Sequence, residues 1–245
     1  NGTYRRRGQK QRYRQRQQIG SFMKICHYDF SKPFDICNGV GVLVVENVNK
    51  FVQYCNDFVA QQNGEDGCFI IDDGDKAFSF KKNGCILFDF FGLSLCDKKI
   101  ISGLYDQMKS VVDDEYLQEY YELRGRMSEF CDMLSVDSPI AVEYDADLCV
   151  QDFLKAMKVK PIDNKNSFAE NILDYLDAQS RFAGTKLYVL VNLLSFLDDK
   201  DYALLMTHFA YAPYSVLLLE RKQCDRVDNE PMLIIDNDLC EIVAQ

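Results

Sequence analysis

The stretch Lys186–Lys222 constrains the fold most. It reads KLYVLVNLLSFLDDKDYALLMTHFAYAPYSVLLLERK. An apolar run comes first, then a helix-period segment opened by two aspartates, then a second apolar run. Short runs without polar alternation mark strands buried on both faces, which is how parallel sheets under crossover helices read. Near the start, GVGVLVVENVNKFVQYCNDFV repeats the pattern: an apolar strand passes straight into an amphipathic helix. The expected class is α/β, with an open, mostly parallel sheet of the kind nucleotide-binding domains use. The turn after that first strand, Glu46–Lys50, contains no glycine. A phosphate-cradling loop needs glycines there. The expected head is therefore NTPase-like in frame but without a working P-loop.

The 245 residues are 47% hydrophobic, enough for an α/β domain and a modest appendage. Charge is unevenly spread. Residues 1–22 hold seven basic groups and no acid; without them 21 basic residues face 38 acidic ones, a formal charge of −17. Such a body repels polyanions unless its lysines are gathered in one place or cations are recruited. The leader is expected to be a disordered or non-native extension. A polybasic nucleic-acid arm and a mitochondrial presequence are the competing readings. No apolar run reaches the length of a membrane span. The ten cysteines contain no C-x-x-C pair. They are expected to be small buried hydrophobes in a reducing cytosol.

Along the chain, Val42–Glu46 reads as a strand and Asn47 as the cap of a helix. The expected buried face of that helix is Val48, Phe51, Val52, Cys55, Phe58 and Val59. Phe69–Asp72 is an expected strand. Ala77–Phe80 and Cys85–Phe90 are expected to form a hairpin closed by the Asn83-Gly84 signal. Residues 97–135 are helical, with a break at Asp113-Asp114-Glu115, and read as an arm on a head formed by 23–96 and 136–245. Strands follow at Ile140–Asp145 and Val159–Ile162, with helices at Val150–Lys158 and Phe168–Gln179. Strand Leu187–Leu193, helix Lys200–Ala210 under an Asp198 or Asp199 cap, and strand Ser215–Glu220 come next. Met232–Ile235 and Cys240–Val243 complete the expected elements.

VLVVENVNKFVQYCNDF, CILFDFFGLSLCDKKII, IAVEYDADLCVQDFLKAMKVK, LYVLVNLLSFLDDKDYALL, SVLLLERK and IIDNDLCEIV occur in that order. The ordered set, over Gly39–Val243, resembles the Csn-two proteins of type II-A CRISPR systems. The resemblance implies an NTPase-like head with a helical leg and no nucleotide site. It implies a homotetrameric ring, held by Ca2+, that binds double-stranded DNA ends without sequence preference. The implied setting is spacer acquisition (adaptation) in antiviral defence, in the bacterial cytoplasm, beside the Cas-one/Cas-two integrase and the Cas-nine effector. The leader, the segment Gln61–Gly74 and Arg221, where the family often has proline, depart from the pattern.

Candidate ligands follow from that reading. Glu129, Asp132, Asp137, Glu143, Asp145 and Asp147 form the densest acidic set, and calcium takes six to eight hard oxygens. On an extended strand Glu143, Asp145 and Asp147 would face one way; the same residues also read as a solvated edge with Asp147 as a helix cap. Tyr144 would offer only its carbonyl. For DNA, Lys98, Lys99, Lys109, Arg124 and Arg126 are the first candidates, with Lys155, Lys158 and Lys160 a second cluster. Each also reads as an ordinary solvated residue. Phosphate neutralisation by such groups gives affinity without reading bases.

Other chemistry has less to stand on. Gly39-Val40-Gly41 precedes its strand and cannot act as a P-loop. His27 and His208 have no neighbouring Ser or Cys pattern. Glu220-Arg221-Lys222 at a strand end has the spacing of metal-dependent PD-(D/E)xK nucleases, which also need an Asp on an adjacent strand. Asp198 and Asp199 stand at a helix start instead. A nuclease using Glu220 and Lys222, and an inactive NTPase-like scaffold for protein partners, are the alternatives to DNA-end binding.

Overall fold

The computed structural model describes residues 23–36, 38–74, 78–162, 166–224 and 230–244. The basic leader, residues 1–22, and Ala77 of the expected hairpin lie outside them. The chain divides into two compact units, Asn1–Leu93 with Lys165–Gln245, and Ser94–Asn164.

In the first unit every residue of β3 (Val40–Val45) is buried. β3 lies between β7 (Ser215–Glu220) and β8 (Met232–Ile235), parallel to both, with Val42 opposite Leu218 and Met232. β6 (Leu187–Val191) runs parallel beyond β7, and β5 (Gly84–Leu87) parallel beyond β6. β9 (Glu241–Ala244) closes the far edge antiparallel to β8. The strand order is β5-β6-β7-β3-β8-β9. The apolar runs that announced these strands are buried on both faces because helices and a second sheet cover them. That second sheet is small and antiparallel: β1 (Met23–Cys26) lies between β2 (Phe34–Ile36) and β4 (Ile70–Asp72). Side chains such as Ile25, Leu43, Phe58, Val189 and Leu217 share one continuous core. Each contributes about 1.5–3 kcal/mol of burial free energy.

Helix α1 (Val48–Asn63) starts where expected: Lys50 N donates to Asn47 Oδ1 at 3.1 Å. Its buried face is Phe51, Tyr54, Cys55 and Phe58, whereas Val48 and Val52 are exposed. Tyr54 takes the place expected for the valines, because the 51, 54, 55, 58 spacing follows one helix face. The expected hairpin does not form. Phe80–Asn83 make one helical turn and β5 pairs parallel with β6. Phe80 is buried beside Phe58, and Lys186 N donates to Asn83 O at 2.7 Å. The Asn-Gly signal thus opens a parallel strand instead of closing an antiparallel pair.

The second unit is helical. α2 (Lys98–Glu115) and α3 (Leu117–Val136) meet at Tyr116, just after the expected acidic break. α4 (Val150–Ala156) sets Val150 and Leu154 against Tyr105, with Ile101, Met108, Val112, Tyr120 and Phe153 around them. Residues 140–147 are exposed and pair with no strand among the described residues, contrary to the expected strand. Residues 159–162 likewise form no strand. Both segments are short, and no sheet edge takes them up in that unit, where all described regular structure is helical.

Back in the sheet unit, α5 (Phe168–Ala178) begins with a capping box between Ser167 and Glu170. α6 (Asp199–Phe209) is capped by Asp198, whose side chain accepts from Asp201 N at 2.8 Å. Gly39, just before β3, has φ +81°, and a Cβ there would stand 2.5 Å from the Phe209 carbonyl oxygen. Gly39→Ala therefore combines left-handed strain with a backbone clash. It is expected to lower unfolding free energy by roughly 2 kcal/mol in urea denaturation. A neutral substitution would contradict this packing of α6 against the start of β3.

Candidate functional site

In open parallel sheets, ligands bind beyond the carboxyl ends of the strands. Here β3 ends at Val45 and α1 begins at Val48, so only Glu46 and Asn47 connect them. A P-loop spans eight residues and presents several backbone amides to phosphate. This two-residue turn is instead bound up with the protein itself. Asn47 caps α1 and also donates from Nδ2 to Asn237 O at 3.0 Å. Glu46 N donates to Ile235 O at 2.8 Å. The Arg221 guanidinium donates to the carbonyls of Val45 and Glu46 and lies over the Phe51 ring, 5.8 Å from its centroid. Asn192 Oδ1 accepts from Arg221 N at 3.0 Å, which fixes the residue that carries the guanidinium.

Glu220, next to Arg221, is 3% exposed. Its Oε1 accepts from Leu194 N at 3.0 Å, which satisfies a turn after β6. Burial pushes its carboxyl up to about 7, against the opposing pull of the Leu194 and Leu193 amides. Lys222 is exposed. The strands beside β7 are β3 and β6, reading VGVLVV and LYVLV, so neither carries an aspartate. Asp198 caps α6 and Asp199 opens it. Glu220 and Lys222 are thus not joined by the third group that nuclease chemistry requires.

The other residues singled out from the sequence as metal or DNA ligands all fall in the unit Ser94–Asn164. Three tyrosine hydroxyls make long-range hydrogen bonds in that unit, and one of them reaches a candidate ligand. Tyr120 donates to Leu148 O at 2.7 Å and Tyr105 to Val159 O at 2.8 Å. Tyr144 donates to Asp132 Oδ1 at 2.6 Å and to Ser128 O at 3.2 Å, so its hydroxyl holds one carboxylate of the acidic set. The hydrogen bond to Asp132 raises the Tyr144 phenol, with desolvation second. Asp147 pairs with Arg124 at 2.8 Å, and Asp145 Oδ1 accepts from Asp147 N at 2.8 Å. A candidate metal ligand and a candidate DNA contact thus neutralise each other in the single chain. Glu129, Asp137 and Glu143 make no ion pair among the described residues, and all three are exposed. Among the described residues, one set of three His, Cys, Asp or Glu donor atoms lies within 4.8 Å of one another: His27, Asp57 and Cys68, in the sheet unit. The six carboxylates do not converge in this way.

The cations divide. Lys155 is paired with Asp152 at 2.9 Å, one turn away on α4. Lys98, Lys99, Lys109, Arg126 and Lys158 make no ion pair among the described residues. Lys98 and Lys99 occupy the first turn of α2, which has no acidic residue. Cations there oppose the helix dipole, so helix stability does not explain them. Lys109 lies 11 residues after Lys98, about 16 Å along the axis and on nearly the same side of the helix.

α3 buries none of its side chains. Leu123, Met127, Phe130 and Leu134 follow the 4-3-4 spacing of a coiled-coil seam and are 38% to 59% exposed. The repeat lies within the segment 97–135 read as helical from the sequence, but its exposure is visible only in three dimensions. Arg221 was visible only as a departure from a familiar pattern. The carbonyls it holds lie some 175 residues earlier in the chain, beyond the reach of any local motif.

The fold and these sites define an α/β protein with a mostly parallel six-stranded sheet and a separate helical unit. The family model described as CRISPR-associated protein (Cas_Csn2) matches residues 61–239. That match covers well over half of the chain, and the chain belongs to this Csn2 family. No curated protein matches it.

Glu220 gives a pH signature. Between the ordinary carboxyl value of 4.5 and about 7, the folded chain keeps a proton that the unfolded chain has lost. Stability therefore falls as pH rises through that window and is level on either side. The loss is on the order of 3 kcal/mol. Glu220→Gln retains an acceptor for Leu194 N and removes the titration. Urea melts at pH 5 and pH 8 are expected to show wild type losing that much relative to the variant; parallel profiles would contradict the buried carboxyl.

Proposed function

We propose that this chain binds double-stranded DNA ends without sequence preference, as a homotetrameric ring that calcium stabilises, in the spacer-acquisition step of CRISPR adaptation. Membership of the CRISPR-associated Csn2 family supports the setting. The observation that carries the reading is that one helical unit leaves both free cations and an apolar seam uncovered. The seam on α3 suits association with other copies of the chain. The cations suit phosphate.

Assembly is needed for electrostatic reasons. Ser94–Asn164 alone carries eight basic and fifteen acidic residues. A single copy repels DNA over most of that surface. Arranging several copies around one opening brings Lys98, Lys99 and Lys109 of each together and leaves the acidic faces outward. On this reading Arg126, Lys155 and Lys158 add to the same lining, and Arg124 does so when released from Asp147. Phosphate contacts of this kind hold a duplex in register without reading its sequence.

Calcium enters with a restriction. The acidic set supplies the hard oxygens that calcium takes, but one chain does not bring three of them within reach of one ion. Glu129, Asp132, Asp137, Glu143, Asp145 and Asp147 therefore fit calcium only as half-sites, completed by carboxylates of another copy. When bound, the ion neutralises like charges that otherwise hold copies apart. The NTPase-like sheet then serves as a frame and the helices as a leg; the chain works by binding, not by catalysis, and takes no nucleotide. The Cas-one/Cas-two integrase and the Cas-nine effector are the proposed partners, in the bacterial cytoplasm. Among the described residues no helix is long and apolar enough to cross a membrane.

The test uses linear and closed circular duplexes of one sequence, with calcium or with chelator. Linear DNA alone is expected to be retained, in calcium, uncleaved. The double variant Lys98→Ala, Lys109→Ala is expected to bind at least about tenfold more weakly, with a shallower dependence on salt. Equal retention of circles, or retention unchanged by chelator, would overturn the ring. Shortened products would turn the reading toward a nuclease.

A further inference from the structure

His27, Asp57 and Cys68 come from three separate segments of the sheet unit. His27 directly follows β1, Asp57 is on α1 and Cys68 precedes β4. Two aromatic packings and one glycine bring them together. Phe69 stacks on Phe58 with ring centroids 4.0 Å apart, which folds the segment after α1 back along that helix. Gln61 Nε2 donates to Phe69 O at 2.8 Å and secures it. A Cβ at Gly67 would meet Asp57 O at 2.9 Å and the Gln61 side chain at 2.4 Å. Glycine is needed there for the close approach that sets Cys68 beside Asp57. On the other side the His27 ring packs against Tyr54 and Phe69, at 4.7 and 4.6 Å between centroids.

The outcome is a convergent set of unlike donors. A His27 ring nitrogen, one Asp57 oxygen and Cys68 Sγ all lie within 4.8 Å of one another. His27 is 6% exposed. Its Nε2 and Asp57 Oδ2 are both buried and without a hydrogen-bond partner, and stand 3.9 Å apart, too far for a bond between them. Two unsatisfied buried polar atoms facing one point are costly unless something fills that point.

We infer that this point is a transition-metal site, of the kind that takes Zn2+, with His27, Asp57 and Cys68 as three ligands and a fourth position for water. Mixed nitrogen, oxygen and sulfur donors suit zinc and do not suit calcium. The backing of the histidine also fits. Asp29 presents two groups to His27 Nδ1: its backbone N–H at 3.1 Å and its Oδ2 at 3.3 Å. With the amide donating to Nδ1, the metal-free neutral ring carries its proton on Nε2. Metal at Nε2 puts the ring proton on Nδ1, so the Asp29 amide gives up its hydrogen bond there and the Asp29 carboxylate, 3.3 Å away, accepts that proton instead, the arrangement in which a carboxylate orients a ligating imidazole. Asp29 is itself held by Lys50 at 2.8 Å and by the Tyr54 hydroxyl at 2.9 Å. Charge balances: one carboxylate and one thiolate offset a divalent ion. In its absence desolvation and the Asp57 carboxylate keep the Cys68 thiol above its ordinary range. Metal binding displaces that proton to solvent. The ion would tie β1, α1 and β4 together at one point, independently of any DNA binding by the helical unit.

The full chain, stripped with chelator under reducing conditions, is titrated with Zn2+ against a chromophoric competitor. One zinc per chain is expected. Cys68→Ser and Asp57→Asn are each expected to weaken uptake by at least about tenfold, and Asp29→Asn by roughly ten- to a hundredfold. Cys149→Ser, at an exposed cysteine of the helical unit, is expected to leave it unchanged. Cobalt substitution supplies a second readout: a thiolate-to-metal charge-transfer band in wild type that Cys68→Ser loses. No zinc uptake, or uptake of equal affinity in Cys68→Ser with the cobalt band retained, would overturn the site.

Discussion

The structure depends on β3 being buried on both faces between β7 and β8. Its position fixes where α1 starts, where the carboxyl ends of three strands lie, and what fills the space beyond them. In a nucleotide-binding sheet that space is left to phosphate. Here the connection is two residues long, Asn47 caps the helix, and Arg221 occupies the carbonyls of Val45 and Glu46. The guanidinium supplies from within the chain the positive charge and the donors that fill this crevice. Glu220 faces the neighbouring turn and is consumed there. The carboxyl end of β3 is in this way occupied by the chain's own side chains.

The proposed DNA binding lies in the helical unit, and it is governed by charge. The pair Arg124–Asp147 and the pair Lys155–Asp152 show how readily acids in this chain neutralise cations. Exposed pairs of this kind contribute little stability, so their exchange for phosphate or calcium costs little. The lysines on α2 and the apolar repeat on α3 need no such exchange. On the proposed reading, assembly covers the repeat and gathers the lysines in a single step.

Much of the sheet was legible in advance because buried parallel strands write continuous apolar runs. β3, β6 and β7 fall where VLVV, LYVLV and SVLLLE placed them, and Asn47 and Asp198 cap the helices they were expected to cap. The misreadings share one cause: local signals lack knowledge of the partner. Asn83-Gly84 favours a tight turn, but Phe80 gains burial beside Phe58 and Asn83 docks on the β6 lead-in. Ile140 and Val142 alternate like a strand, yet the described residues of their own unit form no sheet edge to pair with them. Read from the sequence, candidate calcium and DNA ligands lie only in the helical unit; His27 is set aside and neither Asp57 nor Cys68 is singled out. Spacing rules find ligands that are close in sequence, whereas His27, Asp57 and Cys68 converge from three segments, and Arg221 reaches back across most of the chain.

The closed turn at the end of β3 is tested most directly by calorimetric titration with ATP and Mg2+. The account predicts no heat beyond dilution up to millimolar nucleotide, for wild type and for Arg221→Ala alike, since the two-residue turn stays short without its guanidinium. Saturable binding of ATP by the wild-type chain would contradict it.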